Sequence, residues 1–224
     1  MHDEGVVHSL CADALCHRAA EQLDPDGATL IGKAIGIAEA VHYGQRRRSG
    51  GAFLCHPLAV SAIIWELGLT ADPIAAAVLH DVIETSRELP TSYCVGEEQL
   101  WDAFPYPLHI VAMVQALTKP PIDDPGLTQY YSAIALAAQV EGTREVPLIK
   151  AADVWHNVKT VDDVGPANWS WRQAFLEKTR RHSLPWLQRI KEVVTAVLLE
   201  PYGLLLERIE QELARHSREL AAAS

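Results

Sequence analysis

The 224-residue sequence predicts an all-α protein. Apolar residues recur at helical spacing, as at Leu30, Ala34 and Ile37, and turn-forming residues separate the periodic stretches. No stretch shows a convincing strand alternation, and segments such as 146–149 are too short to decide by pattern alone. Helical periodicity along nearly the whole chain therefore favours a fold made of packed helices.

Most of the predicted helices have a start or stop signal. The first periodic stretch ends before Gly44, and Pro57 opens a second helix that Gly68 closes. Asp72-Pro73 is a cap followed by proline, and it starts a third helix that runs through Ile83. The later predictions are a short helix at 99–104, helices at 107–117, 128–140 and 147–159, and a helical tail at 171–222 with breaks at Pro185 and 201–203.

The length suits one large domain, or one domain with an appendage. We predict an irregular N-terminal leader over residues 1–26, a main helical domain over 27–190, and a C-terminal helical extension over 191–224 that packs on the same domain. The histidines and cysteines of the leader have an unusual spacing for zinc, and we interpret them as part of an amphipathic segment. They are His8, Cys11, Cys16 and His17.

Composition limits the classes of function. The net charge is -10, with 19 basic and 29 acidic residues, so the chain is a poor general binder of nucleic acids. An anionic substrate must be met by a local basic patch. No signal segment and no run near ~18 apolar residues is present, which predicts no membrane contact. The four cysteines form no C-x-x-C pair, so reduced thiols and a cytoplasmic location are the simplest expectation.

Two imidazoles and two carboxylates form the candidate metal site. Such a mixed set suits a borderline-hard divalent ion such as Mn²⁺ or Fe²⁺, and the absence of thiolate argues against structural zinc. On an octahedral ion these four ligands leave room for a water and a substrate oxygen. The ion can then acidify the water and polarise a phosphate. The four residues are His56, His80, Asp81 and Asp153.

Glu84 is the candidate general base. It follows Asp81 by three residues and His80 by four, so a helix brings all three to one face. From there its carboxylate can reach a water without being a ligand. The surrounding segment is strongly apolar, and a His-Asp pair beside such a run is costly to bury unless it is paired or bound to a metal.

Three consecutive arginines, Arg46 to Arg48, form a basic loop between Gly44 and Gly50. Guanidinium groups stack on bases and make two-pronged hydrogen bonds to phosphates. An isolated arginine triplet is more often a solvated surface loop, so the flanking sequence has to decide between the two interpretations.

The flanking sequence carries a resemblance. The stretches 42–50, 53–60 and 75–84, followed by 117–119 and 149–157, resemble in order the hydrolase domain of the RelA/SpoT-homologue superfamily. The resemblance covers roughly residues 30–186. The chain is too short to hold the synthetase and regulatory domains of the long members as well, so it looks like the stand-alone small alarmone hydrolases.

The resemblance implies an HD-domain helical phosphohydrolase fold over 27–190 and one Mn²⁺ per chain. It implies hydrolysis of the 3′-pyrophosphate of the alarmones ppGpp and pppGpp, which yields GDP or GTP and pyrophosphate. The four residues named above match the metal ligands, and Glu84 matches the first member of an acidic pair beside the metal. The residues that match the nucleotide-binding positions are Arg47, Arg48, Ser49, Lys150 and Asn157.

The second member of that acidic pair is replaced by Thr85. Threonine offers a neutral hydroxyl that can orient a water but cannot act as a base near neutral pH. Slower alarmone hydrolysis, a different substrate and lost activity are therefore all open. The alternatives are an HD phosphohydrolase acting on an adenosine alarmone or a phosphorylated dinucleotide, and a catalytically weak alarmone sensor. The expected partner is a small nucleotide, and the sequence leaves a homo-oligomer open.

Overall fold

The computed structural model describes residues 4–87, 89, 95–104, 108–120 and 124–223. Within these ranges it contains helices and one isolated antiparallel bridge between Arg46 and Ala52, but no β-strand. The all-α prediction is therefore confirmed. The α-helices are α1 (Glu4–Gln22), α2 (Pro25–Val41), α3 (Cys55–Glu66), α4 (Ala71–Leu79), α5 (Val82–Ser86), α6 (Glu97–Ala103), α7 (Leu108–Leu117), α8 (Asp124–Ala137), α9 (Val146–Lys159), α10 (Trp169–Lys178), α11 (Leu184–Ile190) and α12 (Ala196–Ala223).

Helix α4 forms the centre of the core. It packs against α2, α3 and α7, and every residue from Pro73 to Leu79 is buried. A helix that is apolar on all sides needs such complete enclosure. Helix α4 is packed on all sides. It therefore holds the two residues directly after it, His80 and Asp81, in well-defined positions.

The predicted third helix is interrupted at this point, which corrects the prediction of one helix through Ile83. His80 and Asp81 lie between α4 and α5 rather than inside a helix. The imidazole Nδ1 of His80 lies 2.7 Å from the carbonyl oxygen of Ala77, the acceptor that a continuous helix would offer to the main-chain N–H of Asp81. This side-chain hydrogen bond competes with the helical pattern, and the break places both side chains at an end of α4.

Helix α9 carries the second half of the candidate site. Pro147 stands in its first turn, and the helix packs against α3 on one side and α12 on another. Helix α12 continues through Pro201, where the sequence predicts a break. Tyr202 explains the continuity, since its ring is fully buried and its hydroxyl donates to the carbonyl oxygen of Leu187 at 2.8 Å.

The prediction of an irregular leader over residues 1–26 is wrong. Residues 4–22 form α1, which packs against α2 and α3 through the buried side chains of Ala12, Leu15 and Ala19. Gln22 accepts a hydrogen bond from the indole N–H of Trp65. The i, i+3, i+7 spacing of the three apolar residues is a helical signal. The side chains of His8 and Cys11 lie outside the described residues, as does Cys94.

The predicted division into domains at residues 26 and 190 stays a prediction. No helix among the described ranges combines the length and the apolar character that a membrane crossing demands.

Candidate metal and nucleotide site

A cavity of about 230 Å³ opens where α3, the α4–α5 junction, α9 and the basic loop meet. We call it the candidate cavity. It combines cationic, acidic, imidazole and aromatic side chains. Its lining residues include Arg47, Phe53, His56, His80, Asp81, Glu84, Leu117, Lys119, Tyr130, Lys150, Asp153 and Asn157.

The four predicted metal-binding side chains converge in this cavity. The Nε2 atom of His56 lies 3.1 Å from Oδ1 of Asp153, and Nε2 of His80 lies 3.8 Å from the same oxygen. Oδ2 of Asp81 lies 3.3 Å from Nε2 of His80 and 3.7 Å from Nε2 of His56. His56, His80 and Asp153 each bring a ligand atom within 4.8 Å of the others. These distances suit atoms that surround one small cation.

The hydrogen bonding of His80 tests whether a cation fits. Its Nδ1 is engaged by the carbonyl oxygen of Ala77, so Nε2 is the nitrogen that faces the cluster. That Nε2 is buried and has no hydrogen-bond partner among the described residues, although the Asp81 carboxylate is close. A buried polar atom without a partner is costly. Coordination of a divalent ion would satisfy it, so the residues fit a metal.

The charges of the cluster support the same conclusion. Burial lowers the pKa of His80, but the Asp81 and Asp153 carboxylates outweigh it and raise this pKa to about 9. Burial raises the pKa of Asp81, but His80 and His56 outweigh it and lower this pKa to about 2. Burial also opposes the charge of Asp153, yet Lys150 and the two imidazoles hold its pKa well below the usual range. Both carboxylates are therefore charged at neutral pH and attract a cation.

Glu84 lies beside the cluster. Its Oε1 accepts a short hydrogen bond of 2.5 Å from the main-chain N–H of Lys119, in the segment that follows α7. Burial and the nearby Asp81 charge raise the pKa of Glu84. A carboxylate held by one oxygen, with a raised pKa, is suited to accept a proton.

A chain of hydrogen bonds connects the basic loop to Asp153. Arg47 Nη2 donates to Asn157 Oδ1 at 2.6 Å, and Asn157 Nδ2 donates to Asp153 Oδ1 at 2.6 Å. Arg47 also donates to Thr160 Oγ1 at 3.3 Å, and Lys150 donates to Asp153 Oδ2 at 2.7 Å. The structure thus brings the predicted residues Arg47, Lys150 and Asn157 into the cavity, where two cations lie within reach of an anionic ligand.

Three predicted site residues, Arg48, Ser49 and Thr85, do not line the cavity in the described part of the chain. The guanidinium carbon of Arg48 lies 5.0 Å from the centre of the Trp171 ring, and the carbonyl oxygen of Arg48 accepts from the Asn168 amide at 3.4 Å. Arg48 therefore anchors the loop on α10. Thr85 is half-buried, and its N–H donates to the carbonyl oxygen of Asp81 at 3.0 Å.

Two further residues at the site, Tyr130 and His156, had no role predicted from the sequence. Tyr130 lines the cavity, its hydroxyl donates to the carbonyl oxygen of Leu117 at 2.8 Å, and Lys150 Nζ lies 5.3 Å from its ring centre. His156 Nδ1 lies 2.8 Å from His56 Nδ1, and burial followed by the His56 and Arg47 charges lowers the pKa of His156 to about 3. His156 lies within 149–157, one of the stretches that carry the family resemblance, so the sequence contained a signal for it. Tyr130, in contrast, has the pattern of an ordinary core aromatic.

A second acidic and imidazole group has the spacing of a metal site but a different chemistry. Asp162, His216 and Glu219 lie close together near the end of α9. Arg172 donates to Asp162 Oδ1 at 2.7 Å and Arg215 donates to Asp162 Oδ2 at 2.9 Å. The two guanidinium groups neutralise this group, which connects α12 to the turn after α9 as a salt-bridge network.

Residues 34–175, well over half of the chain, match the family model described as HD domain. The chain therefore belongs to the HD domain family.

Three relatives are similar to this chain over about 60% of its length. The guanosine-3′,5′-bis(diphosphate) 3′-pyrophosphohydrolase of Haemophilus influenzae is 36% identical over 140 residues, which cover 58% of this chain. The bifunctional (p)ppGpp synthase/hydrolase SpoT of Escherichia coli K12 is 33% identical over 130 residues, also 58% of the chain. A GTP pyrophosphokinase of Myxococcus xanthus is 35% identical over 154 residues, or 62% of the chain. The resemblance to the RelA/SpoT group is thus confirmed, while the matches span only 18% of each relative's length.

Proposed function

We propose that this protein is a Mn²⁺-dependent hydrolase that removes the 3′-pyrophosphate from ppGpp and pppGpp. The observation that carries the proposal is the convergence of two imidazoles, two carboxylates and Glu84 in one cavity that also contains Arg47 and Lys150. The similarity of this region to proteins named as ppGpp 3′-pyrophosphohydrolases supports the choice of substrate.

In this proposal His56, His80, Asp81 and Asp153 hold one divalent ion. The mixed nitrogen and oxygen donors favour Mn²⁺ over ions that prefer thiolates or oxygen alone. When bound, such an ion supplies positive charge that polarises a phosphate and makes a water more acidic.

The chain's own residues supply the remaining steps. Glu84 accepts a proton as a water oxygen attacks the phosphorus next to the 3′ oxygen of the ribose. The bond between that phosphorus and the 3′ oxygen breaks, and the 3′ oxygen takes up a proton. Lys150 and Arg47 bind negatively charged groups of the nucleotide, because both cations border the cavity. Arg48 contributes by holding the loop against Trp171, and Thr85 has no proton-transfer role.

The test is a substrate panel with product identification. The full chain, with and without Mn²⁺, is incubated with ppGpp, pppGpp, an adenosine alarmone and a phosphorylated dinucleotide. We expect GDP or GTP and pyrophosphate in equal amounts, loss of activity in excess chelator, and recovery on addition of Mn²⁺. Orthophosphate release, or turnover of the adenosine compound alone, would indicate an HD phosphohydrolase of different specificity. Tight ppGpp binding without turnover in Mn²⁺ would indicate a sensor.

Elemental analysis of the purified protein adds an independent measurement, with one Mn²⁺ per chain as the expected result. A nucleotide partner and a cytoplasmic location are part of the proposal. The absence of nucleic-acid and membrane partners and the oligomeric state stay predictions from the sequence.

A further inference from the structure

The imidazole of His156 contacts the imidazole of His56. Their Nδ1 atoms are 2.8 Å apart, and their ring centres are 4.9 Å apart with an angle of 39° between the planes. His56 lies on α3 and is only 3% exposed, whereas His156 lies on α9, three residues after Asp153, and is half-buried. The contact therefore joins two of the helices that carry the candidate metal ligands.

We propose that His156 is a positioning residue that fixes the ring orientation and the tautomer of His56 for metal binding. The inference rests on the proposed metal site, but it assigns a role to a residue that neither the sequence motifs nor the family match specifies. A histidine ligand commonly donates its second ring N–H to a group that holds it in place.

The direction of the hydrogen bond follows from the chemistry of imidazole. His56 faces the cluster with Nε2, which lies 3.1 Å from Oδ1 of Asp153. When Nε2 coordinates a cation it carries no proton, so the neutral ring holds its single proton on Nδ1. The acceptor for that proton is Nδ1 of His156, which must then carry its own proton on Nε2.

Without a metal the same pair can carry the hydrogen bond in the opposite direction. His56 Nε2 can then donate to Asp153, while His56 Nδ1 accepts from His156. An imidazole can play either role according to its tautomer, which main-chain carbonyl groups cannot. His156 can therefore satisfy His56 in both the metal-free and the metal-bound protein.

The other candidate imidazole ligand is held differently. Nδ1 of His80 donates to the carbonyl oxygen of Ala77, in the last turn of the preceding helix α4. No side-chain substitution removes that acceptor. The orientation of His56, in contrast, depends on a side chain from another helix, so a single substitution on α9 can test it.

The experiment compares His156→Asn, His156→Leu and the control His182→Leu. Asparagine has an amide oxygen near the position of the imidazole Nδ1 and can accept the hydrogen bond, whereas leucine cannot. His182 is exposed and lies outside the cavity, so its replacement measures the general effect of losing a histidine. Calorimetric titration of each full-length protein with Mn²⁺ gives affinity and stoichiometry, and thermal unfolding without metal gives the stability of each fold.

We expect His156→Leu to bind Mn²⁺ ~10–100-fold more weakly, and His156→Asn to stay within ~3-fold of the wild type. Wild-type affinity in His156→Leu would overturn the inference. Equal weakening in both variants, with a matching loss of metal-free stability, would overturn it as well, because it would indicate a packing role. A wild-type protein that binds no metal would refute the proposed site and the inference together. Metal binding without ppGpp hydrolysis would refute only the proposed function.

A measurement on the wild-type chain keeps the inference testable if His156→Leu does not fold. Nitrogen-15 spectra of the histidine side chains report which ring nitrogen carries the proton, with Zn²⁺ as a diamagnetic substitute. We expect protonated Nδ1 on His56 and protonated Nε2 on His156 in the loaded protein, and His156→Asn provides the assignment. The reverse pattern would contradict the proposed hydrogen bond.

Discussion

Replacement of Glu84 by glutamine separates its chemical role from its structural one. Glu84 lines the candidate cavity and accepts a hydrogen bond from the main-chain N–H of Lys119. Glutamine keeps the volume and the acceptor oxygen but lacks the basic carboxylate. The substitution therefore removes proton transfer while the contact with the segment after α7 is retained.

The expected rate loss is large and the stability change small. A positioned general base contributes ~10²–10⁴ in rate, which corresponds to ~2.7–5.4 kcal/mol of transition-state stabilisation. Burial and the Asp81 charge raise the pKa of Glu84, so a neutral amide relieves repulsion in the fold. We expect a free energy of unfolding within ~0.5 kcal/mol of the wild type.

The matched variant is Glu84→Ala, which also removes the acceptor. The Lys119 N–H then loses its partner, which costs ~1–3 kcal/mol where the group stays buried. Both variants should lose kcat to a similar extent, but only the alanine variant should be destabilised. Similar kcat values with different unfolding midpoints would therefore identify the lost rate with the carboxylate.

The assay is steady-state hydrolysis of ppGpp in saturating Mn²⁺, together with metal analysis of each protein. Near-normal kcat in Glu84→Gln would refute Glu84 as the proton acceptor. Loss of bound metal in the same variant would show instead that Glu84 is a ligand or holds the ligands in place.

Three further predictions concern the nucleotide, the position after Glu84 and the metal. Arg47→Ala should raise KM for ppGpp by ~10-fold or more with a smaller change in kcat, because Arg47 binds the ground state as well as the transition state. The control Arg181→Ala, which replaces an exposed arginine, should leave KM unchanged. Thr85→Asp should raise kcat by less than ~10-fold, since Thr85 does not line the cavity and a carboxylate there acts only at longer range. A kcat equal to or lower than that of the wild type would show that threonine is fully competent. Because the pKa of His80 without metal is about 9, Mn²⁺ must displace a proton from His80 to bind there. Calorimetry should therefore show an affinity for Mn²⁺ that rises with pH up to about 9, and proton release on binding below that pH.

The raised pKa of His80 also predicts how the stability of the metal-free protein depends on pH. A histidine whose pKa is higher in the fold contributes stability that is complete below its unfolded value of about 6.5. That contribution is lost as the pH rises through about 9. Thermal unfolding of the chelator-treated protein from pH 6 to 9.5 measures it, and a His80→Gln variant should lack this loss.

The sequence by itself determined the fold class and the residue types of the candidate site. Apolar periodicity is a local property, so it indicated helices without knowledge of their packing. The ligand types at His56, His80, Asp81 and Asp153 indicated a mixed nitrogen and oxygen site, because donor preference depends on residue type alone. The order of these four residues along the chain, together with the sequence that flanks them, was enough to indicate the family.

Only the tertiary structure decided which side chains reach the cavity. Arg47 and Arg48 are neighbours in one loop, yet Arg47 binds Asn157 in the cavity and Arg48 stacks on Trp171 outside it. The direction of a loop side chain depends on the elements that pack against the loop, so composition could not separate the two. Tyr130 reaches the cavity because α8 packs against α9, which no local pattern records.

The interruption at His80 and Asp81 and the His56–His156 contact have the same origin. The segment before Asp81 is continuously apolar and predicts one helix, but the hydrogen bond from His80 to Ala77 ends the helix at the site. The partner of His56 lies 100 residues away in sequence. Periodicity reports which face of a helix is apolar, whereas the pairing of polar atoms across helices depends on how those helices pack, and that is fixed only in the folded chain.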